Sequence, residues 1–65
     1  MFARKIKFAR RIKCLTKEQI ADYLNVNQEV VDSWERGENL PDFYKLVELS
    51  ALLGLSIEVL LGAID

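Results

Sequence analysis

Residues 16 to 37 read Thr16-Lys-Glu-Gln-Ile-Ala-Asp-Tyr-Leu-Asn-Val-Asn-Gln-Glu-Val-Val-Asp-Ser-Trp-Glu-Arg-Gly37. Their punctuation predicts two short helices, Lys17 to Leu24 and Gln28 to Arg36, joined by a tight turn. Thr16 stands where an N-cap hydroxyl accepts from the third helical amide. Gln19 can reach back to the amide of Thr16 itself, which makes a capping box. Ile20, Ala21 and Leu24 then recur at helical spacing on one face, with the small Ala21 where two helices must cross closely. Asn25 follows at the helix end, where a left-handed residue is needed and Asn tolerates that conformation. Val26 plugs the turn, and Asn27 can cap the second helix. The inward face of that helix is Val30, Val31 and Trp34, and Gly37 ends it as a C-terminal cap residue. The same spacing makes Trp34 a core anchor rather than a stacking platform.

Outward from this unit the pattern stays helical, and the fold class is all-α with five helices and no strand. Helix 1 is expected from about Ala3 to Lys13. The capped pair supplies helices 2 and 3, and residues 37 to 42 form a loop. Asp42 can cap helix 4, which runs through Phe43, Leu46, Val47, Leu49, Ser50 and Leu53 to Gly54. Ser56 can cap helix 5, with Glu58 in its first turn at the positive dipole end, and Gly62 ends it. The expected core is Ile6, Ala9, Leu15, Ile20, Ala21, Leu24, Val26, Val31, Trp34, Leu46, Leu49, Leu53, Leu55 and Leu60.

Sixty-five residues, 51% of them hydrophobic, suit one small domain spanning 1–65. A chain of that size buries about 60% of its unfolded surface. The single Cys14 forms no internal disulfide, so a reducing cytoplasm is the natural setting. No apolar run approaches the ~20 residues needed to cross a bilayer, and the basic, amphipathic start lacks the apolar block and cleavage site of a secretory signal. Catalysis has no support. There is no histidine, no Gly-rich phosphate loop, and Cys14 has no partner to make it a nucleophile or a metal ligand. Cys14 reads as a small, partly buried thiol. Neither metal, cofactor nor membrane partner is expected, and the protein is not expected to be an enzyme.

The two capped helices and their turn constitute a helix-turn-helix. Ile6 and Arg10 four residues apart, Leu15-Thr16, Ile20-Ala21, Val26, the run Trp34-Glu35-Arg36-Gly37, then Pro41 and Leu55-Ser56-Ile57, all in order, resemble the phage repressor and Cro type (XRE-like) of helix-turn-helix domain. The resemblance covers roughly the whole chain. It implies a compact five-helix domain that acts as a sequence-specific DNA-binding transcriptional regulator, a repressor by preference, with helix 3 in the major groove of double-stranded DNA. It places Gln28, Glu29, Asp32 and Ser33 on the outward, base-reading face. It assigns phosphate contacts to Thr16, Lys17, Asn27, Arg36 and Asn39, and an ion pair between Arg10 and Glu35 to the frame. It also implies a weak homodimer near the start of helix 5, through Ile57, Glu58 and Leu61. Helix 5 carries more apolar residues than one inward face uses.

Charge is distributed unevenly along the chain. Residues 1 to 17 carry seven bases and no acid, and residues 18 to 65 carry two bases and ten acids, so the net −1 hides +7 against −8. A basic segment of this kind suggests an anionic partner. Helix 3 and the loop after it are acidic: Glu38, Asn39, Leu40 and Asp42 stand where family members often carry Lys or Arg. That departure sustains an alternative, a helix-turn-helix domain used for protein contact or self-association with little DNA affinity.

Overall fold

Each helix begins and ends where the chain supplies atoms to close it. The computed structural model describes residues 2 to 62. In chain order the elements are α1 (Phe2–Ile12), α2 (Lys17–Leu24), α3 (Gln28–Glu35), α4 (Phe43–Leu53) and α5 (Ile57–Leu60), and among the described residues no strand forms. Before α2, the Thr16 hydroxyl accepts from the Gln19 amide at 3.0 Å while the Thr16 amide donates to Gln19 Oε1 at 2.8 Å. Asp42 accepts from the Lys45 amide at 2.9 Å, and Ser56 from the Val59 amide at 3.2 Å. Asn27 departs from expectation. It has the extended backbone of a cap residue, but its side chain makes no capping bond. The Val30 amide donates instead to the backbone carbonyl of Asn27 at 2.9 Å.

The C-terminal ends turn through left-handed residues. Gly37, at φ 77°, closes α3 with its own amide on Trp34 O and the Glu38 amide on Ser33 O, a paired closure that satisfies two orphan carbonyls. Arg36, expected as the last residue of helix 3, is its C-cap. Cys14 closes α1 in the same way, with the amides of Cys14 and Leu15 on Arg11 O and Arg10 O. Its φ is 58°, a conformation that costs a residue with a β-carbon about 1 kcal/mol. At that cap the thiol is exposed, which corrects the partly buried reading.

Packing follows from the apolar stripes. α1 lies against α3 and α5, α2 against α3 and α4, and α4 against α5. Ile6, Ile20, Leu24, Val31, Leu49 and Leu60 are sealed from solvent where these contacts converge, and Trp34 is buried beside them. Leu15, Val26 and Leu55 pack at the margin rather than inside. Phe2, absent from the expected core, is buried; α1 starts one residue early, and Phe2 precedes Ile6 by one turn on the same face. α2 has no basic residue in its own last turn. Lys45 of α4 supplies that charge, with Nζ donating to Leu24 O at 2.6 Å, where a cation meets the negative end of the helix dipole.

One ion pair ties the frame together. Arg10 Nε donates to Glu35 Oε2 at 2.7 Å and Nη2 to Oε1 at 3.2 Å, while Nη1 donates to Leu15 O at 3.0 Å. The two side chains are only 12% and 3% exposed, so neither charge finds water if its partner is removed. Arg10→Ala or Glu35→Ala should therefore each lose ~3–5 kcal/mol of unfolding free energy in urea titrations followed by circular dichroism. Replacing both by apolar residues of similar size should recover most of that loss, because no charge is then stranded.

Candidate nucleic-acid interface

Packing decides what α3 leaves for a partner. Val31, Ser33 and Trp34 face inward, so the exposed part of the helix is its first turn, Gln28 and Glu29, with Asp32 half-exposed one turn on. Ser33 was expected on the outward face. It is buried, and its hydroxyl donates to Val30 O at 2.6 Å. The Glu38 amide also closes on its carbonyl, so the chain folds back over this position and Ser33 belongs to the packed side.

The cations expected to meet phosphates are both paired within the domain. Lys17 Nζ lies 2.6 Å from Asp32 Oδ1, across the angle between α2 and α3, with side chains 37% and 26% exposed. Arg36 donates from Nε and Nη2 to the two carboxylate oxygens of Glu38, each at 3.0 Å, out in solvent. The hydrogen bond from Lys17 holds the Asp32 carboxyl below the ordinary aspartate range, against a smaller opposing effect of burial. The hydrogen bond from Arg36 does the same to Glu38. Thr16, Asn27 and Asn39 are exposed, and the Thr16 amide is already bonded to Gln19.

Two of these arrangements escaped the reading of residues alone. Arg36 and Glu38 are near neighbours, and their pairing carried a signal in their spacing. Lys17 and Asp32 lie on different helices, and only the crossing of α2 and α3 brings them together. Among the described residues no cluster of three or more possible metal ligands forms, and no helix is long and apolar enough to cross a membrane.

Two capped helices set across a tight turn, with the second exposing only its first turn, define a helix-turn-helix domain. A family model described as helix-turn-helix matches residues 6–60. The HTH-type transcriptional regulator YqaE of Bacillus subtilis (strain 168) is 33% identical over 61 residues, which cover 94% of this chain and 53% of YqaE. A transcriptional regulator from Listeria innocua has a TM-score of 0.92 at 34% identity, covering 100% of this chain and 61% of that one. SinR, the master regulator for biofilm formation, in its crystal structure with DNA, has a TM-score of 0.84 at 29% identity and covers 94% of this chain and 98% of that one. The chain belongs to the helix-turn-helix family, of the repressor and Cro type. It spans about half the length of the curated relatives it matches, 53% of one and 56% of another.

The Lys17–Asp32 pair has a pH signature. Asp32 is held below its unfolded value of about 3.9, so the pair's contribution is fully present above that value. It is lost as pH falls through the lower folded value. An NMR titration of the side-chain carboxyl carbons should find Asp32 titrating below the ordinary aspartate range. Lys17→Met should move Asp32 up towards the ordinary value, and an unmoved Asp32 would contradict the assignment.

Proposed function

We propose that this chain is the sequence-specific DNA-binding domain of a transcriptional regulator, a repressor by occupancy of its site, with α3 in the major groove. The observation that carries this reading is the exposed first turn of α3, in a domain that aligns with nearly the whole of a SinR chain solved with DNA. Gln28 has the donor and acceptor pair that suits adenine, and Glu29 the acceptor that suits cytosine N4. Asp32 is a second acceptor, held by Lys17. Ser33, buried and bonded, is left out of base contact.

Phosphates would be met by the first amides of α2, with Thr16 and Lys17, and by Asn27, Arg36 and Asn39. For Lys17 and Arg36 this means exchanging an internal carboxylate for a phosphate oxygen. Each exchange returns less than a phosphate contact made by an unpaired cation, so non-specific affinity is low and the share of binding that rests on base contacts is high. This is how an acidic front is compatible with DNA recognition, and why we prefer it to the protein-contact alternative. The setting is cytoplasmic, and the domain occupies 1–65.

Gln28→Ala should weaken binding to an operator selected from random duplexes by ~1–3 kcal/mol with thermal unfolding unchanged. Equal affinity of mutant and wild type on that operator would remove Gln28 from the reading face. Failure of the wild type to shift any duplex at low salt would remove the DNA reading itself.

One domain of this size covers one half-site, and half-sites are read in pairs. We propose a weak homodimer about the start of α5, through Ile57, Glu58 and Leu61, tightened by DNA. Ile57 is half-buried against the core, so charging it would damage the fold. Leu61 is 47% exposed and is the cleaner probe. Leu61→Glu should leave the melting curve in place and abolish both concentration-dependent sedimentation and cooperative operator binding. A wild type that stays monomeric at millimolar concentration and binds without cooperativity would exclude this interface.

A further inference from the structure

α1 buries Phe2, Ile6 and Ala9, and the side chains flanking that stripe take no part in the core or in the proposed DNA contacts. Those flanks are not simply polar. Phe8 and Ile12, one turn apart, are 67% and 65% exposed. They form one wall of a groove whose floor and far wall are Ala9, Leu53, Gly54 and Leu55, at the junction of α4 and α5. A β-carbon at Gly54 would come within 3.5 Å of Lys13 Nζ, so the Lys13 chain lies along one end of this groove. Past Phe8 the surface continues into a hollow lined by Arg4, Lys7 and Arg11. Arg4, Lys7, Arg11 and Lys13 make no ion pair among the described residues, and the first 17 residues contain no acid.

We propose that this groove docks an acidic amphipathic helix of a partner protein. Its apolar side chains would lie between Phe8, Ile12 and Leu55, and its carboxylates would reach Arg4, Lys7, Arg11 and Lys13. The occupant is identified by complementarity in both charge and shape. A DNA backbone would satisfy the bases and leave Phe8 and Ile12 facing phosphate. A flat anionic bilayer would satisfy the bases and the two outermost apolar side chains, but not the recessed surface at Leu53 and Leu55. A helix presents a ridge that fills a groove and a flank that carries charge, and Leu53 is only 2% exposed at the bottom.

The test uses the full chain, isotopically labelled, titrated with a designed helical peptide bearing one leucine per turn on one face and glutamates elsewhere. Saturable amide shifts should appear in α1 and at Leu53–Leu55. Phe8→Ser with Ile12→Ser, and separately Arg4→Ala with Arg11→Ala, should each weaken binding by about tenfold or more. These side chains lie at the surface, so the variants should melt as the wild type does; a paired variant that fails to fold is replaced by its single substitutions. The same peptide with lysine for glutamate should not bind. Absence of shifts with the acidic peptide at millimolar concentration overturns the proposal, as does equal binding of the lysine peptide or shifts confined to α3. Self-association that vanishes in Phe8→Ser overturns it in favour of a second copy. Binding to phosphatidylglycerol vesicles without binding to the peptide overturns it in favour of a membrane surface.

Discussion

The orientation of α3 depends on a single guanidinium. Arg10 places two nitrogens on Glu35 and the third on the carbonyl of Leu15, and so joins α1, the turn into α2 and the end of α3 at one point. A pair this far from water is a device for geometry more than for net stability, because desolvating both charges offsets much of their attraction. What it excludes is a slide or rotation of α3 against α1, which apolar contacts between Ile6, Val31 and Trp34 resist less sharply. With the end of α3 held, the Gly37 closure fixes where the loop departs, and the exposed first turn of α3 points one way. The bond from Lys45 to Leu24 O and the Lys17–Asp32 pair are smaller ties of the same kind, each between α2 and a neighbour.

Most of this frame could be read from the chain because its signals are local. A hydroxyl or carboxylate three residues from the amide it accepts, and a left-handed residue at a helix end, are decided within five or six residues. Thr16, Asp42, Ser56, Asn25 and Gly37 behave accordingly. Asn27 shows the limit, since its backbone takes the cap conformation while its side chain is displaced by its own carbonyl. Ser33 fails for a different reason. It lies one turn on from Val30, to which its hydroxyl donates, and in a domain this small the buried arc is wide enough to include it. The outward face of α3 is therefore one residue narrower than the sequence alone indicates. Cys14 is exposed because its place is set by the paired closure of α1, a position usually held by Gly.

The charge split acquires a spatial meaning once the helices are placed. Of the seven bases before Glu18, Arg10 is absorbed by the frame and Lys17 by Asp32. Lys5 is engaged as well, and Arg4, Lys7, Arg11 and Lys13 remain on and just after α1. The acids gather on the other elements, and two of them, Asp32 and Glu38, neutralise the cations beside the exposed turn of α3. A front of this kind repels an arbitrary duplex less than its acid count implies, since those two carboxylates are already balanced. It also attracts one less than a basic surface would, because each cation must give up a partner first. On the proposed DNA reading this leaves Gln28 and Glu29, whose side chains make no hydrogen bond or ion pair among the described residues, to decide the outcome.

Exposed apolar side chains in a domain of 65 residues are expected, since so small a core cannot cover a chain of this composition. Their arrangement separates the ordinary from the informative. Tyr23 and Leu40 are exposed, and on α4 Phe43 and Tyr44 meet edge to face with ring centroids 6.2 Å apart while staying exposed with Val47, one turn on from Phe43. α5 is a single turn that gives Leu60 wholly to the core and Ile57 by half, which leaves Leu61 as a surplus too small to hold two protomers firmly and consistent with a pair that forms on DNA. Phe8 and Ile12 differ from all of these. They stand one turn apart on a helix that already gives an adjoining face to the core, above a groove that reaches Leu53, and the charged residues lining it and the hollow beside it are, among the described residues, all bases. Packing alone gives no reason for that single sign. An apolar strip left over from folding can be flanked by either sign, whereas a strip flanked only by bases is shaped for something that brings carboxylates with it.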